Sequence, residues 1–96
     1  MEERRDGQLT LRSSYAGSAY RVTLSGELGL ENVASFTAEI TRMEESGAVE
    51  TAIDLSRLEF IDSSGMAALA EAGRRFQAYG RHLRILGKPR RFSASA

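Results

Sequence analysis

The sequence predicts a small α/β domain: a mixed, mostly parallel sheet of about four to five strands with helices packed on it. Three observations carry that prediction. Leu9 and Leu11, then Tyr20, Val22 and Leu24, alternate with polar side chains, as in half-buried strands. Val33, Phe36, Ile40 and Met43 recur at helical spacing. Val49 to Leu55 is an apolar run rich in β-branched residues, as in a strand covered on both faces, and helical spacing returns after it.

The elements follow in order. The first two strands are split by Ala16-Gly17-Ser18 and pair antiparallel, and Gly26 ends the second. Asn32 is the N-cap candidate for a helix over roughly residues 33 to 46, with Gly47 just past its end. A central parallel strand runs from Val49 to Leu55, and a short connection leads from it to the serines that open the next helix. The second helix begins around Ser64, with Met66, Leu69, Ala70, Gly73 and Phe76 as its core stripe and Ser64, Ala67, Ala68, Glu71, Arg75 and Ala78 facing outward. His82 to Leu86 is the last strand. Such alternation implies right-handed crossovers, with the N-terminal strand added antiparallel at one edge.

Composition narrows the function. Ninety-six residues make one domain, here with a core over about 8 to 88 and flexible tails at 1–7 and 89–96. Hydrophobic residues are 42% and charged residues 27%, ordinary for a folded soluble chain. The absence of cysteine points to a reducing, cytoplasmic setting. The charged start Met1-Glu2-Glu3-Arg4-Arg5-Asp6 is unlike a signal peptide, and no apolar run approaches membrane-spanning length. Net charge is zero, yet after Glu71 come seven Lys or Arg and no acid. That stretch is either a solvated helix face with a basic tail or, from Arg74 to Arg91, a surface for an anionic partner.

No catalytic arrangement stands out. His82 is the single histidine, the serines lack a Gly-x-Ser-x-Gly elbow, the carboxylates have no metal-ligand spacing, and no glycine-rich phosphate loop with a lysine is present. Asp62, Ser64 and His82 could be drawn as a triad, but nothing supplies an oxyanion hole. The expectation is a chain that is not an enzyme and takes no cofactor or metal.

The informative stretch is Ile53 to Met66, where Asp62-Ser63-Ser64-Gly65 follows an apolar strand and opens a helix. A hydroxyl there can cap the helix or carry a phosphate that a partner senses. The three alanines on the outward side leave a low surface suited to close approach by a protein, or merely reflect alanine's helix propensity, with Glu71 and Arg75 as an i, i+4 pair.

Leu24-Ser25-Gly26-Glu27-Leu28, the helix after it, Ile53-Asp54-Leu55-Ser56 and Phe60-Ile61-Asp62-Ser63-Ser64-Gly65-Met66 together resemble the STAS domain of bacterial anti-sigma factor antagonists, over about residues 8 to 88. The resemblance implies partner switching. The unphosphorylated antagonist binds an anti-sigma factor that is also a serine kinase and so releases the sigma factor. Phosphorylation of the serine before the glycine, here Ser64, ends binding, and a serine phosphatase restores it. Taken with the outward face of the second helix, the resemblance gives Gly29, Glu31, Asp62, Ser63, Ser64, Gly65, Met66, Ala67, Ala68 and Glu71 as the expected docking residues. No direct nucleic-acid or membrane contact is implied.

Two departures stand out. Gly29 occupies a position where the family often has an acid tied to kinase recognition, with Glu31 two residues on as a substitute. The family's further C-terminal helix is short or missing after Gly87-Lys88-Pro89, which would expose apolar surface and favour a homodimer or swapped terminus. The alternative function is a non-switching STAS adaptor or scaffold subunit of a lipid-transport ABC complex or a signalling complex.

Overall fold

Alternation at the start of the chain folds as an antiparallel meander that feeds a parallel pair. In the computed structural model, which describes residues 1–93, the order is β1 (Glu2–Asp6), β2 (Leu9–Ala16), β3 (Ala19–Leu28), α1 (Val33–Glu45), β4 (Glu50–Asp62), α2 (Ser63–Ala78), β5 (Leu83–Leu86) and β6 (Arg91–Ser93). β1, β2 and β3 are successive antiparallel neighbours, and β3 pairs parallel with β4. The far side of β4 is shared: β5 pairs parallel along Thr51–Asp54 and β6 along Phe60–Asp62. The 13-residue β4 is therefore the axis of a mixed sheet.

The sheet has six strands among the described residues, not four to five. Both extra strands lie where tails were expected. β1 reads Glu-Glu-Arg-Arg-Asp, with no apolar side chain to reveal a period, because an edge strand is protected by charge rather than burial. β6 is three residues long and stands where the resemblance leads one to expect a helix, and residues 94–96 lie outside the described residues.

Two boundaries also move. β3 does not end at Gly26 but runs to Leu28, and β4 does not end at Leu55 but runs on to Asp62 with no connection before α2. The cause is a pair of bulges: Thr23 aligns with Asp54 but Ser25 with Arg57, and Gly26 aligns with Leu58 but Glu27 with Phe60. The Asp54 carboxylate accepts from Ser56 N at 2.9 Å and Ser56 Oγ at 2.7 Å, pinning the first bulge and holding its own pKa below the usual range. Gly26 has φ +89°, and a Cβ there would lie 1.8 Å from the Gln8 carbonyl oxygen, so only glycine fits.

One core joins the layers. Leu9, Leu11, Val22, Leu24, Ile53, Leu55, Leu58 and Ile61 from the sheet meet Phe36, Ile40 and Met43 of α1 and Ala72 and Phe76 of α2. The helices are tied to each other by the Arg75–Glu44 ion pair and by Arg75 Nη2 donating to Thr41 Oγ1 at 3.3 Å. α1 ends as expected, with Gly47 at φ +73° just beyond it.

A buried acid sits inside this core. Glu39, 1% exposed, accepts from Tyr20 Oη at 2.5 Å and from Arg42 Nη2 at 2.8 Å. Burial first, then the hydrogen bond to Glu39, push the Tyr20 phenol up from 10.0 to about 12. The folded state thus keeps a proton that the unfolded chain gives up sooner, so stability is full below pH 10 and declines as pH rises toward 12. The unfolding free energy should fall by roughly 2 kcal/mol over that window in chemical denaturation, a slope that Tyr20→Phe should remove. A wild-type curve flat across it would contradict the assignment.

Candidate functional site

Parallel pairing of β3 with β4 brings their C-terminal ends together, with Leu28 aligned on Ile61. The loop 29–32 and the start of α2 therefore meet at one end of the sheet, the place where parallel sheets commonly bind ligands.

Asp62 joins them. It is the N-cap of α2, and its Oδ1 accepts from Gly65 N at 2.9 Å. Its Oδ2 accepts from Leu30 N at 3.3 Å. Asn32, fully buried, fixes the loop from its other end: its Oδ1 accepts from Gly29 N at 3.0 Å, and its Nδ2 donates to the Glu27 carbonyl at 3.0 Å and the Asp6 carbonyl at 3.4 Å. It holds the N-cap position of α1 but makes no side-chain cap bond, because its amide is spent on the loop.

Two glycines make the approach possible. A Cβ on Gly65 would lie 2.7 Å from Ile61 Cγ1 and 2.8 Å from the Leu28 carbonyl oxygen, so α2 starts flush against the ends of β3 and β4. A Cβ on Gly29 would lie 2.7 Å from Asp62 Oδ2. An acidic side chain at Gly29 would thus collide with the anchor of α2, a physical reason for its absence.

Ser63 and Ser64 fall on the first turn of α2, both partly exposed. Among the described residues neither hydroxyl makes a hydrogen bond; the cap is made by Asp62 alone. The Ser64 hydroxyl is therefore not consumed by the fold.

The buried face of α2 differs from the expected stripe by about one residue. Gly65, Ala72 and Phe76 are buried, with Ala68 and Leu69 packed on the core, whereas Met66 is 42% exposed and Ala70 is exposed. Gly65 lies against Leu28 and turns the helix, leaving Met66 to solvent. The outer surface is consequently Met66, Ala67, Ala70, Glu71 and Arg74, and Ala68 leaves it. Arg75 also leaves it for α1, and Glu71 pairs instead with Arg74 at 2.8 Å. Of the expected docking residues, Glu31, Met66, Ala67 and Glu71 are exposed, Asp62, Ser63 and Ser64 are partly so, and Gly29 and Gly65 shape the site by lacking side chains. Leu30, 76% exposed beside Asp62, was not expected; its signal was an apolar residue between a glycine and an acid in a loop.

The triad drawn from the sequence does not assemble. The His82 carbonyl accepts from Thr51 Oγ1 at 3.0 Å, placing His82 at the opposite end of β4 from Asp62, on the order of 30 Å away at strand rise. Among the described residues no group of three or more acidic or histidine side chains could hold a metal ion.

Comparison with known proteins identifies the fold. A family model described as Mlab, STAS domain, matches residues 7–96. The STAS domain of an antisigma-factor antagonist from Rhodobacter sphaeroides superposes with a TM-score of 0.67 at 26% identity, covering 83% of this chain and 87% of that one. An anti-sigma factor antagonist from Mycobacterium paratuberculosis shares the fold with a TM-score of 0.63 at 23% identity, over 91% of this chain and 68% of that one. A crystal structure of Mglu has a TM-score of 0.69 at 23% identity over 77% of this chain, which spans only 18% of that protein's length. No curated protein matches the chain.

The two supports of α2 should differ in cost. Asp62→Ala, which removes a cap, should lower stability by about 1 kcal/mol. Gly65→Ala, which drives a methyl into a backbone carbonyl, should cost about 1 to 3 kcal/mol and shift the amides of Leu28 and Ile61. Equal stability of Gly65→Ala and wild type in urea melts would contradict the close approach.

Proposed function

The chain belongs to the STAS domain family, and we propose that it is an anti-sigma factor antagonist that works by partner switching, with Ser64 as the switch. The observation that carries this reading is the Ser64 hydroxyl: partly exposed, free of hydrogen bonds among the described residues, and at the head of a low surface formed by Met66, Ala67 and Ala70. In its bare form this surface docks an anti-sigma factor that is also a serine kinase, and sigma factor is released.

The physics of the switch is local. The kinase transfers the γ-phosphoryl group of its ATP to Ser64 Oγ, and the serine proton leaves to the kinase's base, so this chain is substrate and ligand rather than catalyst. The phosphoserine carries close to two negative charges at neutral pH. It would stand two residues from Asp62 and on a face shaped for a hydroxyl, so the partner meets like charge, bulk and a desolvation cost. The amino terminus of α2 tolerates an anion, so the domain stays folded while binding is lost. A serine phosphatase resets the state. Exposed Glu31 serves as the acidic feature that Gly29 cannot carry.

Gly29 also favours a second reading, in which no kinase reads this loop and the same face is held constitutively by a lipid-transport or signalling complex as an adaptor. Ser64→Asp separates the two. Under partner switching it should weaken the complex with the kinase roughly hundredfold while Ser64→Ala binds normally and cannot be phosphorylated, read by titration calorimetry and incubation with ATP. Undiminished binding by Ser64→Asp would leave the adaptor.

We further propose self-association along the β5–β6 edge of the sheet, where Ile85, aligned on Ile53, and Phe92, aligned on Ile61 farther along β4, are 46% and 54% exposed on the side that carries the helices. Sedimentation should show a mass that rises with concentration and falls back for Phe92→Ser; a constant monomer mass would refute it.

A further inference from the structure

The face of the sheet away from the helices carries a row of side chains that neither the fold nor the switch uses. Across four strands, Arg5 aligns with Thr10, Thr10 with Ser25, and Ser25 with Arg57. Residues aligned in this way project to the same side of a sheet. The row therefore reads guanidinium, hydroxyl, hydroxyl, guanidinium, with no carboxylate in it. It lines a shallow basin of about 430 Å³ together with Glu3, Arg12 and Thr23.

The donors in this basin are largely unspent. Among the described residues the hydroxyls of Thr10, Thr23 and Ser25 make no hydrogen bond, and Arg57 makes neither a hydrogen bond nor an ion pair. Glu3 engages Arg12 at 2.9 Å and reaches Arg5 only at 3.8 Å. Asp54, in the neighbouring row, has an oxygen committed to Ser56 and feels the charges of Arg21 and Arg57 without forming an ion pair with Arg57. Arg57 faces this side only because of the bulge after Asp54, which inserts one residue and reverses the alternation of β4. Bulges that re-aim a side chain are commonly features of a site rather than defects.

The geometry points to a phosphate-binding site, with a soluble phosphate monoester as its ligand. Adjacent strands lie about 4.8 Å apart, so Arg5 and Arg57 stand roughly 14 Å from each other at their Cα atoms, at the two ends of a basin that both side chains line with the two central hydroxyls between them. Guanidinium forks match phosphate oxygens in pairs, and hydroxyls take the remaining lone pairs. A compact dianion fits better than an anionic membrane: Glu3 and Asp54 beside the row would repel an extended negative plane, and the chain as a whole carries no net charge. This site lies on the opposite face of the sheet from the core-packed helices, and it does not depend on the switch at Ser64.

The test uses the intact chain and glycerol 3-phosphate as probe, followed by amide chemical shifts. Thr10, Ser25 and Arg57 should shift together, and the affinity should fall about tenfold in Arg5→Ala and in Arg57→Ala but not in Arg84→Ala, a cation on the same face outside the basin. Binding should strengthen as pH rises through about 6, where the monoester becomes a dianion. No shift at tens of millimolar, by the scale of weak anion binding, or an affinity indifferent to both basin variants, would overturn the proposal. So would binding to vesicles of phosphatidic acid in phosphatidylcholine with none to the soluble probe, which would assign the face to a membrane instead.

Discussion

The carboxylate of Asp62 accepts from Gly65 N with one oxygen and from Leu30 N with the other, so the first turn of α2 and the loop after β3 share one anchor. What surrounds it follows from that double use. Gly29 and Gly65 lack side chains because the anchor and the strand ends occupy the space a Cβ would need. Asn32 holds the loop from behind so that Leu30 N can point at Asp62. With the cap supplied by Asp62, the two serines after it are released from structural duty, and a side chain available for chemistry stands on a rigid element.

That division of labour explains what could be read beforehand. The alternation of strands and helices between Leu9 and Leu86, the antiparallel start and the beginning of α2 were legible, since hydrophobic period and the Asp62-Ser63-Ser64-Gly65 stretch speak directly to burial and helix initiation. The bulges in β4 were not, because an inserted residue imitates the polar break of a loop: Ser56-Arg57 looks like a connection until Asp54 is seen to hold it in the strand. The turn of α2 was ambiguous for a similar reason. Gly65, Ala68 and Ala72 score as weakly apolar, while Met66 scores strongly, yet the small residues win the core because the helix must approach the strands closely. β1 had no hydrophobic period to find.

The sheet separates two surfaces of different character. Its helix side supports the end where α2 begins, with exposed apolar residues Leu30 and Met66 beside a free hydroxyl, which suits a protein partner. Its other side is polar, with arginines, threonines and serines in register across the strands, which suits a small oxyanion. Both depend on β4, whose end carries Asp62 and whose bulge presents Arg57. A partner on the first surface leaves the second open.

The central claim is that, of the two hydroxyls left free by the cap, that of Ser64 is the one modified in the cell. The most direct measurement is site mapping by fragmentation mass spectrometry on the chain isolated from its own cells under several growth conditions. The account predicts a phosphate on Ser64 whose occupancy varies with condition, and none on Ser63. Ser64 unmodified throughout, or phosphate confined to Ser63, would contradict it.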